Sequence, residues 1–338
     1  MIRAGEMLLM LLAMLRGFVM MELVPWLTAP LGWLRPRRRI ISVWPAEPVP
    51  LGKDVALLSH FERRGQLRET TRQLAASLAE AGFSVVLVSN AARLRPEAMA
   101  ALQDVCAAVL VRANTGYDFG GWADALDRLG LPREQTERLL LVNDSIYGPL
   151  APLPPLLAAM DPTAGDMWGL TDSWQRRYHL QSYFMLIYPP AFNSPAWRKF
   201  WSSVRPLVGK HAIVRRYEVG LSQHMLRAGL RCRAVFGYRS VLARQLADTT
   251  ETRVGPRMRQ ARRVRLAAAL RQPLNPTSDL WRALLQMGFP FIKRELLRDN
   301  PGRVQDVMGW QRVVADHLHA NTLLIEADLA KTLRNKAP

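Results

Sequence analysis

The sequence predicts an open α/β fold in which a mostly parallel sheet carries helices on both faces. Short apolar, β-branched runs alternate with helix-period segments from about residue 53 onward, and the residues just after each apolar run are polar. Open α/β sheets bind ligands outside the carboxyl ends of their strands, so the polar strand ends mark one edge of the sheet for chemistry.

The elements follow in order. VALLSHF (55–61) is a short apolar strand, LRETTRQLAASLAEAG (67–82) has helical period and stops at Gly82, and SVVLVSN (84–90) is a β-branched strand. CAAVLVRA (106–113), the helix-like GWADALDRLG (121–130) and LLLVNDS (139–145) repeat the alternation. DMWGLTDSWQRRYHLQSYFMLIY (166–188) ends in a strand-like run, and YEVGLSQHMLRAGLRCRAVF (217–236) reads as a helix from Glu218 to Ala228, a stop at Gly229 and a strand. From 251 the character changes: seven arginines fall between 253 and 271, short helices and turns fill 275–302, and a helical tail closes the chain over 303–333. The expected organisation is an N-terminal segment over 1–45, an α/β domain over 50–245 and a basic, mainly helical C-terminal extension over 250–338.

The chain has 338 residues, 49% of them hydrophobic, which is enough apolar material for a buried core and excludes disorder throughout. Its formal charge of +18 comes from forty arginines and only six lysines. Guanidinium binds phosphate through paired donors, so nucleotide phosphates and anionic lipid headgroups are compatible partners. Nucleic acid is not expected, because no helix-turn-helix, RNP or zinc-finger pattern accompanies the charge. Cys106 and Cys232 lie inside apolar, strand-like runs and read as buried free thiols, in keeping with a reducing cytoplasm. The longest apolar run, Met7 to Leu15, covers nine residues, whereas a membrane span needs about 20. The N-terminal segment therefore reads either as a helix in the membrane interface, with RPRRR (35–39) favouring anionic headgroups, or as a helix packed on its own domain.

The candidate site residues stand at the strand ends. His60 follows the first strand, Arg112, Asn114, Gly116 and Asp118 the third, and Asn143, Asp144 and Ser145 the fourth. The glycines of RANTGYDFGGW (112–122) suit either a ligand loop or a tight strand-to-helix turn, and their spacing matches neither a Walker A loop nor a dinucleotide fingerprint. Asp144 is expected at the sheet's carboxyl edge, where it holds a divalent cation, Mg²⁺ or Mn²⁺, with substrate phosphates, or else caps the next segment. Asp166, Trp168, Thr171 and Trp174 share a turn-like stretch suited to a sugar, or else the tryptophans belong to the core. Glu218 opens a helix, where the dipole favours an acid, and either points into the cleft as a general base or serves only as a helix-terminal acid.

With these residues in view the chain resembles the rhamnan synthesis F family of polysaccharide glycosyltransferases. The resemblance rests on RANTGYDFGGW (112–122), LVNDSIYGPL (141–150), DMWGLT (166–171), HLQSYFMLI (179–187), YEVGLS (217–222), NPTSDLW (275–281) and GFPFIKRELLRDNP (288–301), and covers about 53 to 301. It implies a GT-A-like, Rossmann-type fold with helical N- and C-terminal extensions. Asn143-Asp144-Ser145 stands where the metal-binding Asp-x-Asp is expected, with one carboxylate of the two. Glu218 then becomes the base that deprotonates the acceptor, and Asp166 joins the catalytic set. His60, Arg112, Asn114, Gly116, Asp118, Asn143, Asp144 and Ser145 bind the donor, while Trp168, Thr171, His179, Gln181 and Ser182 border the acceptor. The implied partners are a nucleotide-sugar donor such as dTDP-L-rhamnose, a lipid-linked glycan and the anionic inner face of the bacterial membrane. The other reading is a catalytically inactive sugar-binding scaffold of a polysaccharide assembly complex, which the incomplete Asp-x-Asp supports.

Overall fold

The computed structural model describes residues 40–46, 49–207, 209–247 and 255–334. The expected interfacial helix and its RPRRR cluster lie outside the described residues.

In chain order the first half holds β1 (Ile40–Trp44), β2 (Asp54–His60), α1 (Glu69–Glu80), β3 (Ser84–Ser89), α2 (Pro96–Gln103), β4 (Ala108–Arg112), α3 (Tyr117–Arg128) and β5 (Arg138–Asn143). Then come β6 (Ile146–Tyr147), α4 (Leu153–Ala158), β7 (Met167–Ser173), β8 (His179–Leu180), β9 (Phe184–Ile187), α5 (Pro189–Phe192) and α6 (Pro195–Ser203). A short α7 (Lys210–Ile213) runs through a π turn (Val214–Glu218) into α8 (Val219–Arg227), followed by β10 (Cys232–Phe236), α9 (Tyr238–Ala247) and α10 (Pro256–Ala269). The remainder is α11 (Pro276–Asp279), α12 (Trp281–Gln286), β11 (Ile292–Lys293), α13 (Arg294–Arg298), α14 (Trp310–Leu318) and α15 (Leu323–Arg334).

The main sheet has the order β1-β4-β3-β2-β5-β9-β7-β10, with β8 paired to β7. Strands β2, β3, β4 and β5 are mutually parallel, as are β7 and β10. Their near-continuous Val/Leu runs suit burial on both faces. Alternate residues feed two cores: Ala56, Leu58, Val85, Leu87, Leu140 and Val142 pack with Leu74 and Leu78 of α1, while Val55, Leu57, Val86, Val88 and Leu141 pack with Phe119 and Trp122 of α3. Trp122 is fully buried, and its indole Nε1 donates to the Leu57 carbonyl at 3.1 Å. Helix α1 ends where Gly82 adopts φ +92°, a left-handed conformation that costs glycine least.

Two features depart from a simple parallel sheet. The edge strand β1 runs antiparallel to β4, and β9 runs antiparallel between β5 and β7. The reversal of β9 has a consequence for the site. Its amino end, preceded by Gln181, Ser182 and Tyr183, reaches the edge at which β2 and β5 finish, and Asn143 N donates to the Tyr183 carbonyl at 3.2 Å.

The C-terminal residues are woven into the sheet domain rather than appended to it. Ile292 and Lys293 pair antiparallel with Tyr147 and Ile146, Leu150 N donates to the Pro290 carbonyl at 2.8 Å, and Arg294 N donates to the Ser145 carbonyl at 2.9 Å. Gly148, at φ +127°, permits this approach, since a Cβ there would lie 2.5 Å from the Pro290 oxygen. A third apolar cluster joins Tyr147 and Leu150 to Trp281, Leu285, Leu296 and Trp310. Helix α15 closes back against α1.

Candidate functional site

After β2 the chain builds β3 and β4 on one side and then crosses to build β5 on the other. The carboxyl ends of β2 and β5 are therefore a topological switch point, the place where open α/β sheets hold ligands. A cleft of about 530 Å³ opens there, lined from β5, the first turn of α3, the β8–β9 connection, the α7–π-turn segment and α13.

The floor is one hydrogen-bonded chain. Ser59 Oγ donates to Asp118 Oδ1 at 2.7 Å and Asn143 Nδ2 donates to Asp118 Oδ2 at 3.0 Å. Asn143 Oδ1 in turn accepts from Ser145 N at 3.1 Å and from Ser145 Oγ at 2.5 Å. Lys293 Nζ donates to Ser145 Oγ at 2.9 Å and lies 4.4 Å from the Tyr183 ring centroid. Burial raises the Asp118 carboxyl to about 6, against the hydrogen bond from Ser59, and the neighbouring Asp144 charge adds to the rise. Burial lowers the Lys293 ammonium to about 8, opposed by the Glu218 and Asp118 charges and reinforced by Lys210.

One corner holds a second charged group. Asp144 Oδ2 lies 3.6 Å from Arg294 Nη1 and 3.8 Å from Arg68 Nη1, and the same two guanidiniums reach Asp328 at 3.7 and 3.6 Å. Tyr147 OH donates to Asp328 Oδ2 at 2.7 Å. His60 is fully buried beside them, with Nδ1 3.2 Å from Ser89 Oγ, and desolvation lowers its pKa below the ordinary imidazole value. Buried side-chain atoms without a hydrogen-bond partner among the described residues collect here: His60 Nε2, Arg68 Nη1, Asp144 Oδ2, Arg294 Nε and Arg294 Nη2. Buried polar groups are ordinarily satisfied, so such a concentration marks a place for bound water or ligand. The donor set does not fit a resident divalent cation: two guanidiniums already flank the carboxylate of Asp144, the one acid of the Asn143-Asp144-Ser145 stretch. Among the described residues no three Asp, Glu, His or Cys side chains converge as metal ligands.

The α7–π-turn side of the cleft carries Glu218. Its Oε2 accepts from Ser182 Oγ at 2.8 Å, and its Oε1 lies 3.6 Å from His179 Nε2. The His179 ring is fixed from its other side, with Nδ1 2.8 Å from the Arg177 carbonyl. Glu218 does not open a helix as expected: helical backbone begins at Lys210 and passes through the π turn that ends at Glu218, and the residue lines the cleft from within this run.

The family model described as "Rhamnan synthesis protein F" matches residues 85–259. The chain belongs to that family. Its curated relatives include "Virulence protein VirA" of Vibrio anguillarum, 33% identical over 215 residues, which cover 60% of this chain and 69% of that one. A second relative, "Uncharacterized protein y4gN" of Sinorhizobium fredii, is 25% identical over 197 residues, and the match spans about half of its length, 51%. Among solved structures, a protein assigned as a nucleotide-diphospho-sugar transferase from Desulfovibrio desulfuricans G20 aligns with a TM-score of 0.32 and 12% identity over 65% of this chain and 97% of that one.

The structure brings Asp118, Asn143, Asp144, Ser145, Gln181, Ser182 and Glu218 to the cleft of this family member. His179 touches Glu218, and His60 lies in the arginine corner behind. Thr171 stands one layer back, with Oγ1 donating to Gln181 Oε1 at 2.7 Å. Further expectations need correction. Asp166 precedes β7 and so lies at the amino edge, on the far side of the sheet, where Arg231 Nη2 donates to it at 2.6 Å and holds its carboxyl below the usual range. Trp168, on the same strand, is buried in the core with Nε1 donating to the Asp161 carbonyl at 3.1 Å. Arg112 is not a donor ligand: it is buried, and its Nε donates to Asp124 Oδ2 at 2.7 Å. Asn114 is exposed outside the cleft.

Gly116, expected at the cleft, does not line it, and the glycine-rich turn serves packing while it sets Tyr117 and Asp118 at the edge. Gly116 adopts φ +79° before α3, and a Cβ on Gly120 would stand 2.5 Å from the Thr115 carbonyl oxygen. These glycines seat the helix closely enough for Asp118 to reach Ser59. Sequence reasoning missed Arg68, Lys210, Lys293, Arg294, Arg298 and Tyr183, all of which line the cleft. A lysine directly after the apolar run FPFI was the available signal.

Proposed function

We propose that the protein transfers a sugar, rhamnose or a related deoxyhexose, from a nucleotide-diphosphate donor such as dTDP-L-rhamnose to a lipid-linked or growing cell-surface polysaccharide. Membership of the rhamnan synthesis protein F family supports polysaccharide synthesis as the setting. The observation that carries the reading is the placing of a held carboxylate, Glu218, in one switch-point cleft with Lys293, Arg294 and the Asp118–Asn143–Ser145 floor.

In this reading the acceptor hydroxyl lies against Glu218, which takes its proton as the acceptor oxygen bonds to the anomeric carbon. The bond from that carbon to the diphosphate oxygen breaks, and its electron pair leaves with the nucleoside diphosphate. Ser182 and His179 hold the Glu218 carboxylate at the acceptor side. Asp118, in its ionised form, accepts hydrogen bonds from donor hydroxyls.

The basic face of α10 supports a membrane-surface location for this chemistry. Arg257, Arg259, Arg262 and Arg265 are exposed beside Leu266 and Leu270, which are 60% and 58% exposed, a pairing of charge and apolar surface that suits anionic headgroups. No helix among the described residues is long and apolar enough to cross a membrane.

The reaction is tested by following nucleoside diphosphate release from deoxyhexose donors across pH. The kcat/KM profile is expected to be bell-shaped. Activity rises as Asp118 ionises through about 6 and falls as Lys293 loses its proton through about 8. A profile flat across both limbs removes Asp118 and Lys293 from the reaction, and no turnover of any donor with acceptor present removes the reading.

A further inference from the structure

The transfer reading leaves open what neutralises the charge that develops on the departing diphosphate, and the inference drawn here rests on that reading. A divalent cation is the common means, polarising the phosphoryl oxygens as a Lewis acid. The donor set at Asp144 does not fit one, for the reasons given above, and the positive charge of the cleft comes from its side chains.

Two neighbouring residues of the C-terminal segment supply that charge. Lys293 and Arg294 lie about 150 positions along the chain from Ser145 and Asp144, their hydrogen-bond partners. The β6–β11 pairing delivers them to the carboxyl ends of β2 and β5. Lys293 commits one hydrogen bond, to Ser145 Oγ, and an ammonium has three donors. Arg294 is 6% exposed, and Arg294 Nε and Nη2 and Arg68 Nη1 have no hydrogen-bond partner among the described residues. Asp144 and Asp328 hold both guanidiniums at 3.6–3.8 Å, beyond hydrogen-bonding distance, so the arginines are positioned while their donors stay available.

We infer that Lys293 and Arg294, with Arg68 beside them, bind the diphosphate of the donor and stabilise it as it leaves, in the place of a divalent cation. The C-terminal segment from Phe289 to Arg298 is then part of the transfer site, although the family match ends at residue 259. Guanidinium and ammonium donors aimed at phosphate oxygens in a desolvated site give short, charge-assisted hydrogen bonds. The low lysine pKa given by burial agrees with a cation that becomes satisfied only when an anion enters.

The test is calorimetric titration of the full chain with dTDP, UDP, GDP and ADP, once in EDTA and once with Mg²⁺ or Mn²⁺. At least one of these is expected to bind in EDTA with an affinity within roughly threefold of that with metal, and Lys293→Ala and Arg294→Gln each weaken it by roughly tenfold or more. Thermal unfolding of both variants shows whether they fold. If Arg294→Gln does not, the metal comparison on the unaltered chain and Lys293→Ala decide the matter. Binding that appears only with metal overturns the inference and leaves the transfer reading standing. Binding unchanged in folded Lys293→Ala also overturns it. Absence of binding by every nucleotide in both conditions overturns the transfer reading itself, and the inference with it.

Discussion

Glu218→Gln is expected to lower sugar transfer by about 10²–10⁴-fold, the range that a positioned general base contributes, with donor affinity unchanged within about twofold. The glutamine keeps the size of the side chain and its oxygen can still accept from Ser182 Oγ, which now stands at 2.8 Å. It cannot take a proton. The loss therefore falls on kcat, the signature of an interaction made in the transition state and not in the ground state. The Glu218 hydrogen bond goes to Ser182 while Lys293 is held by Ser145, but the Glu218 charge also favours the Lys293 ammonium, so the comparison is made well below pH 8, where the lysine stays protonated. Steady-state kinetics paired with nucleotide titration checks this. Equal loss of binding and turnover assigns Glu218 to holding the donor.

The second large effect is on stability. Asp124→Ala is expected to destabilise the fold by about 3–5 kcal/mol, because it strands a buried guanidinium. Arg112 and Asp124 side chains are 1% and 4% exposed, and their hydrogen bond is 2.7 Å long. Arg112 also donates to Asn90 Oδ1 and to the Thr115 carbonyl, tying the end of β4 to β3 and to the turn before α3. The same network continues through Asn90 Nδ2 to Ser59 Oγ, and so to Asp118. Urea unfolding measures the cost. The double variant Arg112→Met, Asp124→Ala is expected to be less destabilised than the sum of the singles, since it removes the stranded charge along with its partner. Additive costs contradict a buried pair.

The sheet was legible because its strands are buried on both faces and so appear as uninterrupted Val/Leu runs, as in 55–58, 85–88 and 139–142. The parallel order followed from the helices between them. Asp118, Asn143, Asp144 and Ser145 were readable as candidates because they stand at a strand's end or a helix's start, whereas Glu218, read as a helix start, lies within a helical run that begins at Lys210. Asp166 and Trp168 misled because their stretch resembles a sugar-holding turn, whereas they begin a strand whose amino end lies at the far edge. Arg112 misled because a strand-end arginine reads the same whether it meets a phosphate or a buried Asp124. The antiparallel course of β9 has no local sign, since an apolar run looks alike in either direction. Lys293 and Arg294 were hidden for a related reason: periodicity reports neighbours on one element, and these two meet Ser145 and Asp144 through a two-residue strand.

The most direct measurement is photolabelling with an azido-nucleoside diphosphate sugar followed by peptide mapping. A larger groove of about 840 Å³ lies between α1, the residues after β6 and α15, so the label has a real choice of sites. The account predicts cross-links within 59–68, 117–119, 143–145, 181–183, 210–218 or 293–298, each suppressed by unlabelled nucleoside diphosphate. Competed labelling confined to 70–81, 148–154 or 320–327 contradicts it.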